Sequence, residues 1–191
     1  MAEKGFLTEL CSTIRNETGS EVSEKILEGF QAPDEEDRDS LSEWLSGVIA
    51  RMDNLLSGDV RAKIMKSMGY GCAIMHNEHI KARQKRDKFA SLEEYIDFEE
   101  KNSYPGYSVR RDGDQLLVTY NPEAMKARCY CAPFKSLESD KKVSITYCLC
   151  SAGHIECIWR HVTGKPVNAK VLCSCINGSS TCKFEVDLNP L

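Results

Sequence analysis

The apolar residues of this chain change their spacing near Tyr104, and that change points to helices first and then a mostly antiparallel sheet with one inserted helix. Before it, they recur every three to four residues, the period of an amphipathic helix. Phe6, Leu7, Leu10, Cys11 and Ile14 form one stripe. Val22, Ile26, Leu27 and Phe30 form a second after a Thr18-Gly19-Ser20 break, and Pro33-Asp34 starts an acidic turn. Leu41, Trp44, Leu45, Val48, Ile49, Met52, Leu55 and Leu56 make the cleanest stripe. Ser57-Gly58-Asp59 ends it and caps a helix carrying Val60, Ile64 and Met68. Gly69-Tyr70-Gly71 interrupts the pattern, and a further helix is predicted from Cys72 to about Lys88. Ser91, with Glu94 three residues on, reads as a capping box.

Beyond Tyr104-Pro105-Gly106 the period falls to two. Tyr107 to Val109 and Gln115 to Tyr120 flank Asp112-Gly113, a hairpin signal. Lys142 to Cys150 reads as a strand, and Ser151 as the N-cap of a helix that Gly164 ends. Val167 to Ile176 and Thr181 to Leu188 read as strands around Asn177-Gly178. The expected class is α+β: N-terminal helices packed on a mostly antiparallel sheet with one inserted helix. Residues 1–104 form a helical region and 105–191 a Cys-rich α+β region, either as two units or as one integrated domain.

Six of the ten cysteines fall in three C-x-C pairs, Cys129/Cys131, Cys148/Cys150 and Cys173/Cys175, with Cys157 and Cys182 also in the last third. On a strand, residues two apart share a face, so such a pair presents two sulfurs together. The first 17 residues contain no long apolar run of the secretory kind, and no stretch approaches the ~20 apolar residues of a membrane span. A cytoplasmic protein with reduced thiols is therefore expected. The net charge of −4 argues against non-specific nucleic-acid binding. The basic run Lys81 to Lys88 reads as a solvated helix face.

On the strand predicted to end at Cys150, Val143, Ile145, Tyr147 and Leu149 share one face and Cys148 and Cys150 the other. Cys129 and Cys131 lie in a segment without apolar alternation. Four thiolates from these two pairs would complete a tetrahedral zinc site or hold an iron–sulfur cluster. Cys173, Cys175 and Cys182 alternate with apolar residues and also read as core side chains, with Cys175 opposite Cys182 if 177–180 is a hairpin loop.

Two helical sets add candidates. Cys72, His76 and His79 share a face, as do His154, Cys157 and His161. A Cys72 at the start of a helix would have a lowered pKa, making it a candidate nucleophile with His76 as its base. The sequence has no G-x-S-x-G elbow, phosphate loop, G-x-G-x-x-G, H-E-x-x-H or C-x-x-C.

The stretch from Tyr147 to Leu188 resembles 4-vinyl-reductase-type domains. The matching parts are a cysteine before a helix opened by Gly153, Gly164-Lys165-Pro166-Val167 after it, then Cys175, a turn at Gly178, and Cys182-Lys183-Phe184-Glu185-Val186. The resemblance implies a small-molecule-binding module with zinc on Cys148 or Cys150, Cys175 and Cys182. Leu172 stands where the family's acidic ligand is expected. The longer stretch from Met68 also resembles a poorly characterised group of anaerobe proteins similar to the 2-aminothiazoline-4-carboxylate hydrolase family, through Gly69, Gly71, Cys72, Cys148 to Gly153 and Cys182-Lys183-Phe184. The resulting expectation is a small-molecule-binding, zinc-binding protein with metal ligands drawn from Cys129, Cys131, Cys148, Cys150, Cys175 and Cys182. The alternatives are a hydrolase of a small heterocycle or amide, using Cys72 or a metal-bound water, and an iron–sulfur or redox sensor. Its expected partners are a small ligand and a second copy in a homodimer.

Overall fold

A computed structural model describes residues 2–28, 38–135, 138 and 140–189. Phe30 and Pro33-Asp34 lie outside them. The expected α+β class is correct. Five helices, α1 (Ala2–Leu27), α2 (Arg38–Leu55), α3 (Gly58–Met75), α4 (Glu78–Arg86) and α5 (Leu92–Lys101), precede the hairpin β1 (Tyr107–Asp112) and β2 (Gln115–Tyr120). Helix α6 (Leu149–Thr163) then leads to β3 (Asn168–Cys173) and β4 (Cys182–Asp187). The sheet order is β1-β2-β4-β3, with every pairing antiparallel.

Local chemistry accounts for most boundaries. The Thr18-Gly19-Ser20 break is a kink at Gly19 (φ 75°), a conformation only glycine adopts without strain. Ser91 Oγ accepts the Glu94 amide at 3.1 Å, and the Glu94 carboxylate accepts the Ala90 amide at 2.9 Å, as a capping box requires. Gly164 closes α6 in the left-handed region at φ 71°.

Two apolar clusters share α6. One gathers Leu7, Leu10 and Ile14 of α1, Trp44, Val48 and Ile49 of α2, and Ile64, Met65 and Met68 of α3. The other lies under the sheet, where Val109, Leu116, Val118, Ala169, Phe184 and Val186 pack against Tyr95 and Ile96 of α5 and against Ile155, Trp159 and Val162 of α6. The opposite side of α6 meets α3 at backbone distance. A Cβ on Gly153 would stand 2.6 Å from Lys66 Cα, and one on Gly69 would stand 2.5 Å from His154 N. Beside this crossing, Lys66 Nζ pairs with the buried Glu156 carboxylate and donates to Asn168 Oδ1 at 2.9 Å. Glu156 also accepts the Ala169 amide at 2.8 Å, which ties α3, α6 and β3 together.

Three local expectations are corrected. Gly69-Tyr70-Gly71 does not interrupt a helix, because α3 runs through it to Met75. Gly69 serves the helix crossing, and the actual break is at Asn77 (φ 55°). Lys142 to Cys150 is not a strand: Ile145–Cys148 is a 3-10 turn that runs into α6. Ser144 nucleates it, its hydroxyl accepting the Thr146 amide at 3.2 Å and its carbonyl accepting the Tyr147 amide at 3.1 Å. Local capping thus overrides the β-branched run Val143, Ile145 and Thr146. The strand predicted to reach Ile176 stops at Cys173, after an irregularity in register, and Cys175–Asn177 is a 3-10 turn. Cys175 therefore does not form a cross-strand pair.

Candidate cysteine cluster

The segment 127–135 has few regular hydrogen bonds, yet one side chain fixes it. Pro133 and Phe134 lie in a short 3-10 turn whose Phe134 amide donates to Cys131 O at 3.0 Å. The Phe134 ring is fully buried and meets Tyr147 edge to face, centroids 4.6 Å apart. Tyr147 immediately precedes Cys148, so this contact delivers Cys129 and Cys131 to the start of α6. The Cys131 amide donates to Cys129 Sγ at 3.4 Å, and Cys131 Sγ lies 3.8 Å from Ser151 Oγ.

Cys131 is the hub of the cluster. Its charge is felt by Cys72, Cys129, Cys148 and Cys150. The hydrogen bond with Cys129 lowers the Cys131 thiol to about 7, and Ser151 assists. Its partner Cys129 is pushed the other way, so the pair gives up its first proton around neutrality and keeps the second. Burial raises Cys148 and Cys150 well above the ordinary thiol range. Half-buried Cys131 should therefore alkylate first within this cluster, with a rate that rises through pH 7. Peptide mapping after a short iodoacetamide pulse checks this; labelling of Cys148 or Cys150 ahead of Cys131 would contradict it.

A second set joins the first through one buried hydroxyl. Cys148 Sγ lies 2.8 Å from Ser174 Oγ, which lies 3.8 Å from Cys182 Sγ. The Cys175 amide donates to Cys182 Sγ at 3.3 Å, and burial pushes Cys175 up to about 12. Cys173 stands apart, with Sγ 3.3 Å from Thr181 O. All ten cysteines are free thiols.

The structure sets these thiols on a different scaffold from the expected one. Cys148 closes a 3-10 turn and Cys150 lies in the first turn of α6, so they do not share a strand face. Cys72 lies in the last turn of α3 rather than at a helix start, and burial raises its pKa instead of lowering it. His76 is exposed at the α3 C-cap, where its backbone amide donates to Cys72 O at 3.1 Å, and among the described residues no side-chain hydrogen bond joins its imidazole to the Cys72 thiol. Ser151, expected as a helix N-cap, lies inside α6, whose N-cap is Cys148, and neither it nor Ser174 was expected beside the thiols. Their only signal was position, one directly after a C-x-C pair and the other inside one.

Among the described residues, no three His, Cys, Asp or Glu side chains converge so as to hold a metal ion. A cavity of about 70 Å³ borders Cys129, lined with Met125, Tyr130 and Lys135. A larger one of about 220 Å³ lies at the β1–β2 turn, with Ile96 and Leu116 among its apolar lining and Arg111, Asp114 and Lys165 among its charged groups; no cysteine lines it. No helix of the described residues is long and apolar enough to cross a membrane.

No family model matches the sequence, and the comparison with curated proteins finds no match. Among solved structures, an H-NOX protein from S. oneidensis in the Fe(II)NO ligation state is similar at a TM-score of 0.47 and 15% identity, over 97% of this chain and 98% of that one. At that level neither its fold assignment nor its iron ligation carries over to this chain.

Proposed function

We propose that this protein binds a soft metal ion, zinc in the first instance, through the thiolates of Cys129, Cys131, Cys148 and Cys150. The observation that carries the reading is the hub at Cys131: a thiol lowered to about 7 with three other C-x-C thiols as electrostatic neighbours. Sulfur donors suit zinc, and four of them make a closed structural site. The sulfurs do not converge as they stand, so binding draws the 127–135 segment toward the start of α6. Cys175 and Cys182 form a neighbouring pair reached through Ser174 and are left outside the primary set. An organic ligand is less well supported, because both cavities fall below the roughly 300 Å³ at which drug-sized sites begin.

Proton release gives the test. Cys129, Cys148 and Cys150 are protonated at neutral pH, so each gives up a proton to the metal. Above pH 7, where Cys131 is already ionised, zinc affinity should rise by about 10³-fold per pH unit. A competition titration with a chromophoric chelator measures this. Cys131→Ser should abolish binding while leaving the circular dichroism unchanged. Zinc affinity that is flat with pH, or that survives in Cys131→Ser, would contradict the proposal.

A second reading rests on the interaction of the Cys129 and Cys131 side chains, which lowers the Cys131 thiol and raises that of Cys129. A thiolate beside a protonated thiol suits redox sensing. A peroxide would oxidise the pair to a disulfide, with RS⁻, RSH and H₂O₂ giving RSSR, water and hydroxide. The hydrolase reading finds no comparable support, since Cys72 is raised by burial and, among the described residues, no hydrogen bond joins the His76 imidazole to its thiol.

A further inference from the structure

All four histidines of the chain lie on or beside α3, α4 and α6. The left-handed residue Asn77 turns the chain between α3 and α4 and sets α4 against α6. His79 of α4 and His161 of α6, 82 positions apart, meet there edge to face with centroids 4.7 Å apart. Each ring is held the same way. His79 Nδ1 lies 3.2 Å from Ala73 O, in the last turn of α3, and His161 Nδ1 lies 2.7 Å from Cys157 O. A carbonyl oxygen only accepts, so Nδ1 carries the proton in both rings and the lone pair of each stands on Nε2. Metal-binding imidazoles are held in this way, with the far N–H given to a backbone carbonyl. His79 is half-buried and His161 exposed, so solvent reaches the pair.

We infer that His79 and His161 form a two-imidazole site for a divalent transition-metal ion of the nickel, copper and zinc group, with water in the remaining positions. The site is separate from the cysteine cluster. Cys157, the sulfur nearest His161, is fully buried and supplies no ligand. The nearby cation Arg83 is engaged by Asp87 at 2.8 Å and by His161 O at 3.4 Å, which tempers its repulsion of an ion. A bound ion would pin α4, which buries no residue of its own, to α6.

Nickel(II) titration of the full chain under reducing conditions tests this. The expected result is one equivalent bound without sulfur-to-nickel charge-transfer absorption, besides any nickel that the cysteine cluster takes up with it. His79→Gln and His161→Gln should each weaken it about tenfold or more, the range seen when even a supporting partner of a metal-bound imidazole is lost. Cys131→Ser and His76→Gln should leave it intact. In the unaltered protein, nickel should shift or broaden the ring resonances of His79 and His161 ahead of those of His76, a readout that does not depend on any variant folding. Undiminished binding in both histidine variants, ring resonances of the two that stay unmoved, or nickel bound only with charge-transfer absorption would each overturn the inference.

Discussion

Gly153→Ala should lower the unfolding free energy by about 3 kcal/mol or more, the upper range for overpacking a close contact. The added methyl would stand 2.6 Å from Lys66 Cα and 2.7 Å from Lys66 C. Those are backbone atoms in the middle of a helix, so relief requires α3 and α6 to separate. Separation would disturb both apolar clusters, because α6 contributes to each. Gly69→Ala should cost a similar amount from the other side, where its Cβ would meet His154 N at 2.5 Å. Gly71 is two residues along the same helix and has nothing within 4 Å of an added Cβ. Gly71→Ala should therefore stabilise, by up to ~1 kcal/mol of helix propensity. Urea midpoints of the three variants check the set; equal effects at Gly69 and Gly71 would show that α3 and α6 do not cross here.

Glu156→Ala should cost about 3 kcal/mol or more, the scale of removing one partner from a buried ion pair. The Glu156 side chain is 8% exposed and serves Lys66 and the Ala169 amide together. Its loss leaves Lys66 with Asn168 alone and strips the Ala169 amide, near the start of β3, of its acceptor. Replacing both charges, as in Lys66→Met with Glu156→Leu, should cost less than Glu156→Ala, because no uncompensated charge remains. A double variant that loses as much as the two single variants summed would remove the ion pair from the account.

The helical and strand periods made the class legible, and they did so where one face is buried. The α2 stripe from Leu41 to Met52 and the alternation in β2 and β4 each report a single packed side. The misreadings have two causes, a distant neighbour and a local cap. Gly69 looks like a breaker in sequence because the α6 backbone that requires it, at Cys150 and His154, lies 81 and 85 positions away. Val143 to Cys150 looks like a strand because its β-branched residues outweigh one serine, whereas Ser144 caps a turn that leads into α6. The thiol-rich site was legible as a set of residues but not as an arrangement. Which cysteines approach Cys131 depends on Phe134 packing against Tyr147, a contact with no periodic signature. The pairing of His79 with His161 was equally out of reach, although each lay in a helical set that the spacing identified.

The most direct test of the cysteine cluster is metal analysis of anaerobically purified protein with a thiol count on the same sample. The account predicts near-stoichiometric zinc and four thiols, Cys129, Cys131, Cys148 and Cys150, shielded from alkylation until a chelator and denaturant are added. Iron in place of zinc on the same four would keep the site and change the cofactor. Metal-free protein that takes up no zinc when it is supplied, with Cys131 alkylating freely, would contradict the account.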